Sequence, residues 1–172
     1  GAEKDAREGV ERCRAGQVNT GLVAYFSALG GKAIGRGGSD GNMNQVHTKC
    51  GELGLVGEID HIDTDVIDSA LSAGFIPVIS SVGIDSKGQP HNINADTAAT
   101  KIAAALNAEC LVFMSNIDGV MKDPKDKNNL IHKLTVVETE ALKKDGTING
   151  GMIPKVDACT DAIKDGVKKV FI

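Results

Sequence analysis

The chain of 172 residues carries 19 Lys and Arg against 23 Asp and Glu, a formal net charge of −4, with 41% hydrophobic residues. That length supports a buried core without disulfide staples, and the acidic balance with scattered Lys and Arg excludes a general nucleic-acid binder. No apolar run approaches the roughly 20 residues of a membrane-spanning helix. The charged start Gly1-Ala2-Glu3-Lys4-Asp5 is unlike a signal peptide. A soluble protein of the cytoplasm, or of an organelle matrix after loss of a transit segment, is expected.

Cys13, Cys50, Cys110 and Cys159 form no C-x-x-C, and the histidines have no metal-ligand spacing, so buried reduced thiols and no metal site are expected. With no Trp, one Tyr and 21 Gly, the core must be aliphatic and the connections tight, as in an α/β domain.

Residues 3–16 read as a charged surface helix with a thin apolar stripe. Residues 17–29 place Val18, Leu22, Val23, Phe26 and Leu29 near helical spacing and stop at Gly30-Gly31, giving a helix wide enough to pack on a sheet or a second subunit. Lys32-Ala33-Ile34 is a short strand. The glycines of 35–41 either approach a ligand closely or, through Asp40-Gly41, form a hairpin turn to a strand at 43–47.

Residues 56–62 alternate apolar and polar, a strand with one face covered. Asp63 or Thr64 then caps a helix carrying Val66, Ile67, Ala70 and Leu71 that ends at Gly74. Residues 75–80 and 110–115 are nearly continuous apolar runs, strands expected to be buried on both faces.

Between them, 84–90 reads as a turn and 91–105 as a polar loop entering a helix, with Ala98, Ala99, Ile102, Ala103 and Leu106 facing a core. Residues 122–129 contain the turn Asp123-Pro124. Residues 136–144 form a short surface helix, 145–151 a second glycine-rich loop, and Met152 begins a helix with Pro154 in its first turn. A last strand lies within 167–172. The order is a βαβ series.

In open α/β sheets ligands bind beyond the carboxyl ends of strands, which selects three loops: 92–96, 115–119 and 150–155. Asn92, Asn94 and Asp96 stand at a helix N terminus, where an anion can dock, although capping alone also accounts for them. Gly150-Gly151 offers backbone donors, and Lys155 sets a positive charge against the positive end of a helix, which asks for a compensating anion. No Walker A, G-x-G-x-x-G, H-E-x-x-H or G-x-S-x-G sequence occurs, removing P-loop, dinucleotide, zincin and α/β-hydrolase readings.

Gly-Phe-Ile-Pro-Val-Ile at 74–79, Asn-Ile-Asn-Ala-Asp at 92–96, Ser-Asn-Ile-Asp-Gly-Val at 115–120 and Gly-Gly-Met-Ile-Pro-Lys-Val at 150–156 resemble, in order and spacing, the amino-acid kinase family. Gly-Gly-Lys-Ala-Ile-Gly at 30–35 and Ser-Asp-Gly-Asn at 39–42 extend the match. Within the family the motifs are most similar to those of members acting on N-acetyl-L-glutamate. The resemblance implies a three-layer α-β-α sandwich with a mainly parallel sheet, and one domain whose residues 1–91 are mainly substrate-side and 92–172 mainly nucleotide-side.

It also implies transfer of a phosphoryl group from ATP, with Mg²⁺, to the substrate's side-chain carboxylate, for arginine synthesis. By that pattern Asn92, with Asn94, binds the substrate. Asp96 holds catalytic lysines, and Lys155 neutralises the transferring phosphoryl group. Ser115, Asn116, Gly119, Gly151 and Met152 border the nucleotide. Asn116 departs from the family's usual Asp. The family's opening strand with its Lys-x-Gly-Gly loop, and its last strands, do not occur in these residues, so a fragment of a complete kinase is expected. Homo-oligomers form through the helix at 18–29, and arginine or a nitrogen-signalling protein regulates some members. The rival readings are a sibling kinase acting on glutamate, aminoadipate or carbamate, and a catalytically silent amino-acid-binding module.

Overall fold

The computed structural model describes residues 16–48, 56–116, 119–122 and 129–172. The helix expected over 3–16, apart from Gly16, and the turn at Asp123-Pro124 lie outside the described residues. The chain divides into two compact units, Gly1–Ala98 and Ala99–Ile172.

In the first unit, helix α1 (Asn19–Ala28) ends where Gly30 adopts a φ of 87°, open to glycine at no steric cost, and Gly31 N–H donates to Phe26 O at 3.0 Å. It lies on strand β1 (Ala33–Gly37), which pairs in parallel with β4 (Ile76–Ser80) from Ala33↔Ile76 to Gly37↔Ser80. The buried Asn19 amide clips helix to sheet by donating to Val78 O at 2.7 Å. Away from the sheet, Val18, Leu22, Tyr25 and Leu29 are 44–70% exposed. Phe75 and Ile76 are also exposed, so the run at 75–80 is not buried on both faces as expected. Among the described residues its only strand partner is β1.

Asp40-Gly41 is not a hairpin turn. Asp40–Asn42 forms a 3₁₀ turn in which Asp40 Oδ2 accepts from Gly37 N–H at 3.0 Å. It carries the chain from the β1–β4 pair into a different sheet. That sheet has the order β3-β2-β5-β6, with β2 (Asn44–Thr48), β3 (Gly57–Ile62), β5 (Val82–Ile84) and β6 (Pro90–Asn92). The pairs β2–β3 and β5–β6 are antiparallel, and β2 meets β5 in parallel.

The alternation expected at 56–62 holds only over Gly57–Asp60: Gly57 is buried, Ile59 half-buried, Glu58 and Asp60 exposed. His61 is exposed too and Ile62 buried, because the pairing with β2 shifts register at Gln45/Val46. Val46, Ile93 and Ala98 form the core, with Ile59 against it. Gly83 admits no side chain there, because a Cβ would stand 2.8 Å from Asn44 O and 2.6 Å from Val46 Cγ1. Helix α2 (Asp65–Ser72) follows β3. Asp63 Oδ1 accepts from Asp65 N–H at 3.0 Å, and Ile67 and Ala70 are buried.

Helix α3 (Ala95–Ala105) starts in the first unit and ends in the second. In the second, β7 (Cys110–Val112) pairs in parallel with β8 (Lys169–Phe171). Their inward residues Leu111 and Val170 pack on Ala103, Ala162 and Val167. The alternate residues Cys110, Val112 and Phe171 are exposed, as is Met114. This corrects the expectation that 110–115 is covered on both faces and that Cys110 is a buried thiol: among the described residues these two strands are packed on one face only. Cys159 is half-buried.

Helix α4 (Val136–Lys144) opens on a capping box, with Glu138 N–H donating to Thr135 Oγ1 at 3.2 Å and Thr135 N–H to Glu138 Oε2 at 2.7 Å. Helix α5 (Met152–Lys164) is joined to it by Lys143, whose Nζ reaches Asp157 at 2.7 Å and Glu140 at 2.9 Å. Val120, Ile148 and Val156 are the core beneath. Alternating strands and helices with parallel β1–β4 and β7–β8 pairs give the expected α/β fold, with antiparallel additions around β2 and β6. Among the described residues no helix is long and apolar enough to cross a membrane.

Candidate functional site

Asn92 ends strand β6 rather than lying in a loop, and it bridges in parallel to Val56. The hairpin that delivers it is built on one carboxylate. Asp85 Oδ1 accepts from Lys87 N–H at 2.8 Å and Gln89 N–H at 2.9 Å, while Oδ2 accepts from His91 Nε2 at 3.2 Å. The Gln89 amide and then the His91 ring hold the Asp85 carboxyl below its ordinary range. Because the carboxylate only accepts, Nε2 carries the proton, leaving Nδ1 of a 1%-exposed ring without a partner among the described residues.

Two residues beyond Asn92, Asn94 caps α3. Its Oδ1 accepts from Thr97 N–H at 3.0 Å and Thr97 Oγ1 at 3.3 Å. Asp96 stands half-buried in the first turn, with no hydrogen bond or ion pair to its side chain among the described residues.

In the second unit, Ser115 follows β7 with its Oγ buried and without a partner among the described residues, and Asn116 is exposed. Ile117 and Asp118 lie outside the described residues. Gly119 is buried at a φ of 123°, and a Cβ there would meet Leu130 Cδ1 at 2.8 Å, so its lack of a side chain serves packing.

At the other loop Gly151 is exposed, and Met152 packs against the Val156 cluster. Beyond the two glycines the first turn adds few open donors. Met152 N–H donates to Asn149 O, Ile153 N–H to Gly150 O, both at 3.2 Å, and Pro154 has none. Lys155 adds a positive charge at this helix end and is half-buried without an ionic partner among the described residues.

The glycines at 35–41 are closed to ligands where they are tightest. A Cβ on Gly38 would lie 1.7 Å from Val82 O and 2.1 Å from Asn44 Nδ2, so protein occupies that space. Asn44, fully buried, donates to Val82 O at 3.0 Å. Asp85 and His91 are the residues that sequence reading missed. The spacing of Asp85 from Lys87 and Gln89 marks a side-chain-to-backbone turn, but nothing local says that the same carboxylate reaches the ring beside Asn92.

Residues 2–172 match the amino acid kinase family. The chain is 45% identical over 172 residues to acetylglutamate kinase of Brachyspira hyodysenteriae, covering 99% of this chain and 60% of that protein. It is 44% identical over 164 residues to acetylglutamate kinase of Thermosynechococcus vestitus, covering 95% and 56%. It thus spans less than two thirds of either relative. The solved structure of smu.665 from Streptococcus mutans UA159 superposes with a TM-score of 0.85 at 27% identity, over 97% of this chain and 67% of that one.

Proposed function

The chain belongs to the amino acid kinase family, and from that premise we propose that the protein it represents transfers the γ-phosphoryl group of ATP to the side-chain carboxylate of N-acetyl-L-glutamate. The observation that carries this reading is Lys155, a cation in the first turn of α5 with no ionic partner among the described residues. The substrate is taken from the acetylglutamate kinases that resemble the chain along nearly its whole length.

A carboxylate oxygen attacks the γ-phosphorus, the bond to the bridging oxygen of ADP breaks, and an acyl phosphate forms. The attacking group is already ionised, so no general base is required. What the protein supplies is orientation and charge stabilisation. Asn92, with Asn94 beside it, orients the substrate through its α-carboxylate. Lys155 neutralises charge on the transferring group, and Asp96 has the role of organising lysines. Ser115, whose buried hydroxyl lacks a partner among the described residues, borders the nucleotide with Asn116, Gly119, Gly151 and Met152. Mg²⁺, arriving with ATP, would supply further positive charge beside the transferring phosphoryl group and so add to the neutralisation by Lys155.

The exposed apolar side of α1 covers itself against a second copy, giving a homodimer. The enzyme works in the cytoplasm or an organelle matrix, with arginine or a nitrogen-signalling protein as candidate regulators.

The test is turnover by the full-length protein with ATP and a panel of N-acetylglutamate, glutamate, aminoadipate and carbamate. Preference for N-acetylglutamate is expected. Preference for another acceptor selects a sibling activity. N-acetylglutamate binding without ATP binding or turnover, measured by calorimetry, identifies a silent module and ends the kinase reading.

A further inference from the structure

We infer that His91, held by Asp85, is a positioning residue that sets Asn92 for the substrate's carboxylate, an inference that rests on the N-acetylglutamate reading above. His91 immediately precedes Asn92 on β6 and is 1% exposed, and its Nε2 donates to Asp85 Oδ2 at 3.2 Å. The same carboxylate accepts from Lys87 and Gln89 N–H, and Asp85 N–H donates to Gln89 O at 3.1 Å. Turn, ring and strand are therefore one hydrogen-bonded piece.

The strand at His91 is also held from a neighbouring element. A Cβ on Gly57 would lie 2.8 Å from His91 Cβ, so the backbone of β3 packs closely at the root of that side chain, and the bridge Val56↔Asn92 lies beside it. A core position in a three-residue strand is normally filled by an aliphatic side chain. An imidazole with one nitrogen unpartnered among the described residues is costly there, and what it gains is a directional bond that an aliphatic residue cannot make. Asn92 inherits that direction, since the strand leaves no free residue between the two.

The test uses full-length protein, with steady-state kinetics in N-acetylglutamate and ATP separately. Asp85→Asn keeps an oxygen for the turn amides but presents an NH₂ to Nε2, forcing the ring to its other tautomer with a buried, unpartnered Nδ1–H. We expect KM for N-acetylglutamate to rise about tenfold, the loss of one oriented hydrogen bond, with KM for ATP and kcat little changed. Gln at 91 can offer either its oxygen or its nitrogen, so His91→Gln alone should stay near wild type, and adding it to Asp85→Asn should restore KM. A purely structural role predicts no such rescue.

Asp85→Asn with unchanged KM, or a double variant no better than the single, overturns the inference. The side-chain amide cross-peaks of Asn92 give a reading independent of turnover. They should move in Asp85→Asn and return in the double variant. Cross-peaks that stay in place overturn the positioning role, whereas moved and rescued cross-peaks in a protein that ignores N-acetylglutamate overturn only the substrate assignment.

Discussion

Replacing Lys155 by Ala separates stability from catalysis, because under the proposed role the two effects carry opposite signs. Lys155 makes no ion pair among the described residues, so its removal strands no partner. It sits fourth in α5, toward the positive end of the helix dipole, where a cation costs about 0.3–1 kcal/mol. Lys155→Ala should therefore leave the melting temperature unchanged or slightly raised. Its effect on the reaction is far larger. A single charge about 4 Å from the transferring group is worth roughly 4 kcal/mol at an effective dielectric constant near 20. Removing one preorganised donor at an oxyanion costs about 10²–10³ in kcat.

The amides of Met152 and Ile153 are bonded within the turn and Pro154 has none, so these three residues offer nothing in place of the lost charge. Initial-rate measurements on the full-length protein, with saturating ATP and varied N-acetylglutamate, should show kcat falling by about 10²–10³ while KM for N-acetylglutamate moves little. Lys155→Arg should recover part of the loss, since charge returns with a different shape. Turnover within a factor of about two of wild type in Lys155→Ala would remove this lysine from the mechanism.

Asn94→Ala should destabilise the protein by about 1 kcal/mol through loss of the α3 cap; if Asn94→Asp restores the melting temperature without restoring KM for N-acetylglutamate, the amide also serves the substrate. Thr135→Ala breaks the capping box of α4 and should cost about 1 kcal/mol in denaturant melts, leaving kinetics unchanged. The carboxyls of Asp85, Glu138 and Asp145 are all held below their ordinary values, chiefly by backbone N–H donors at Gln89, Thr135 and Thr147. Their contribution is complete above the unfolded pKa near 4 and is lost as pH falls through the lower folded values, so acid melts should steepen below about pH 4. Lys143 is raised above 10.5 by Asp157 and Glu140, so its contribution is full below that value and fades as pH rises through the folded one. Tyr25→Glu on the exposed side of α1 should shift the full-length protein from dimer to monomer in light scattering, and an unchanged mass would dismiss that face as the interface.

The elements with long periodic patterns were legible. The helices at 65–72, 136–144 and 152–164 fall where apolar spacing and Gly stops put them, because helix signals are local and span several turns. The β5–β6 hairpin was not. Its strands are three residues each, too short to show alternation, and 84–90 read simply as a turn. Pairing partners were equally hidden. Nothing in 40–48 says that β2 joins β3 and β5 instead of β1, since that depends on where a 3₁₀ turn sends the chain. The apolar runs at 75–80 and 110–115 showed strand type but not which residues are covered, because coverage comes from other layers. Among the ligand loops, Asn92, Asp96 and Lys155 stood out as polar groups at helix starts, while the Asp85–His91 contact spans six residues and two strands and left no pattern.

The contacts at Gly38 and Gly83 bear on how this sequence can drift. At both, an added methyl would run into main-chain oxygen, Val82 O at 1.7 Å and Asn44 O at 2.8 Å, atoms that no rotamer change can move aside. Every single-base change that alters a glycine codon introduces a larger residue or a stop, so the near neighbours of this sequence that keep its backbone keep glycine at 38 and 83, while the exposed Gln45 and Glu58 nearby face no such wall. A variant library over this sheet would gain nothing from those two codons, and a natural relative with alanine at either would have to carry a shifted β5 as its signature.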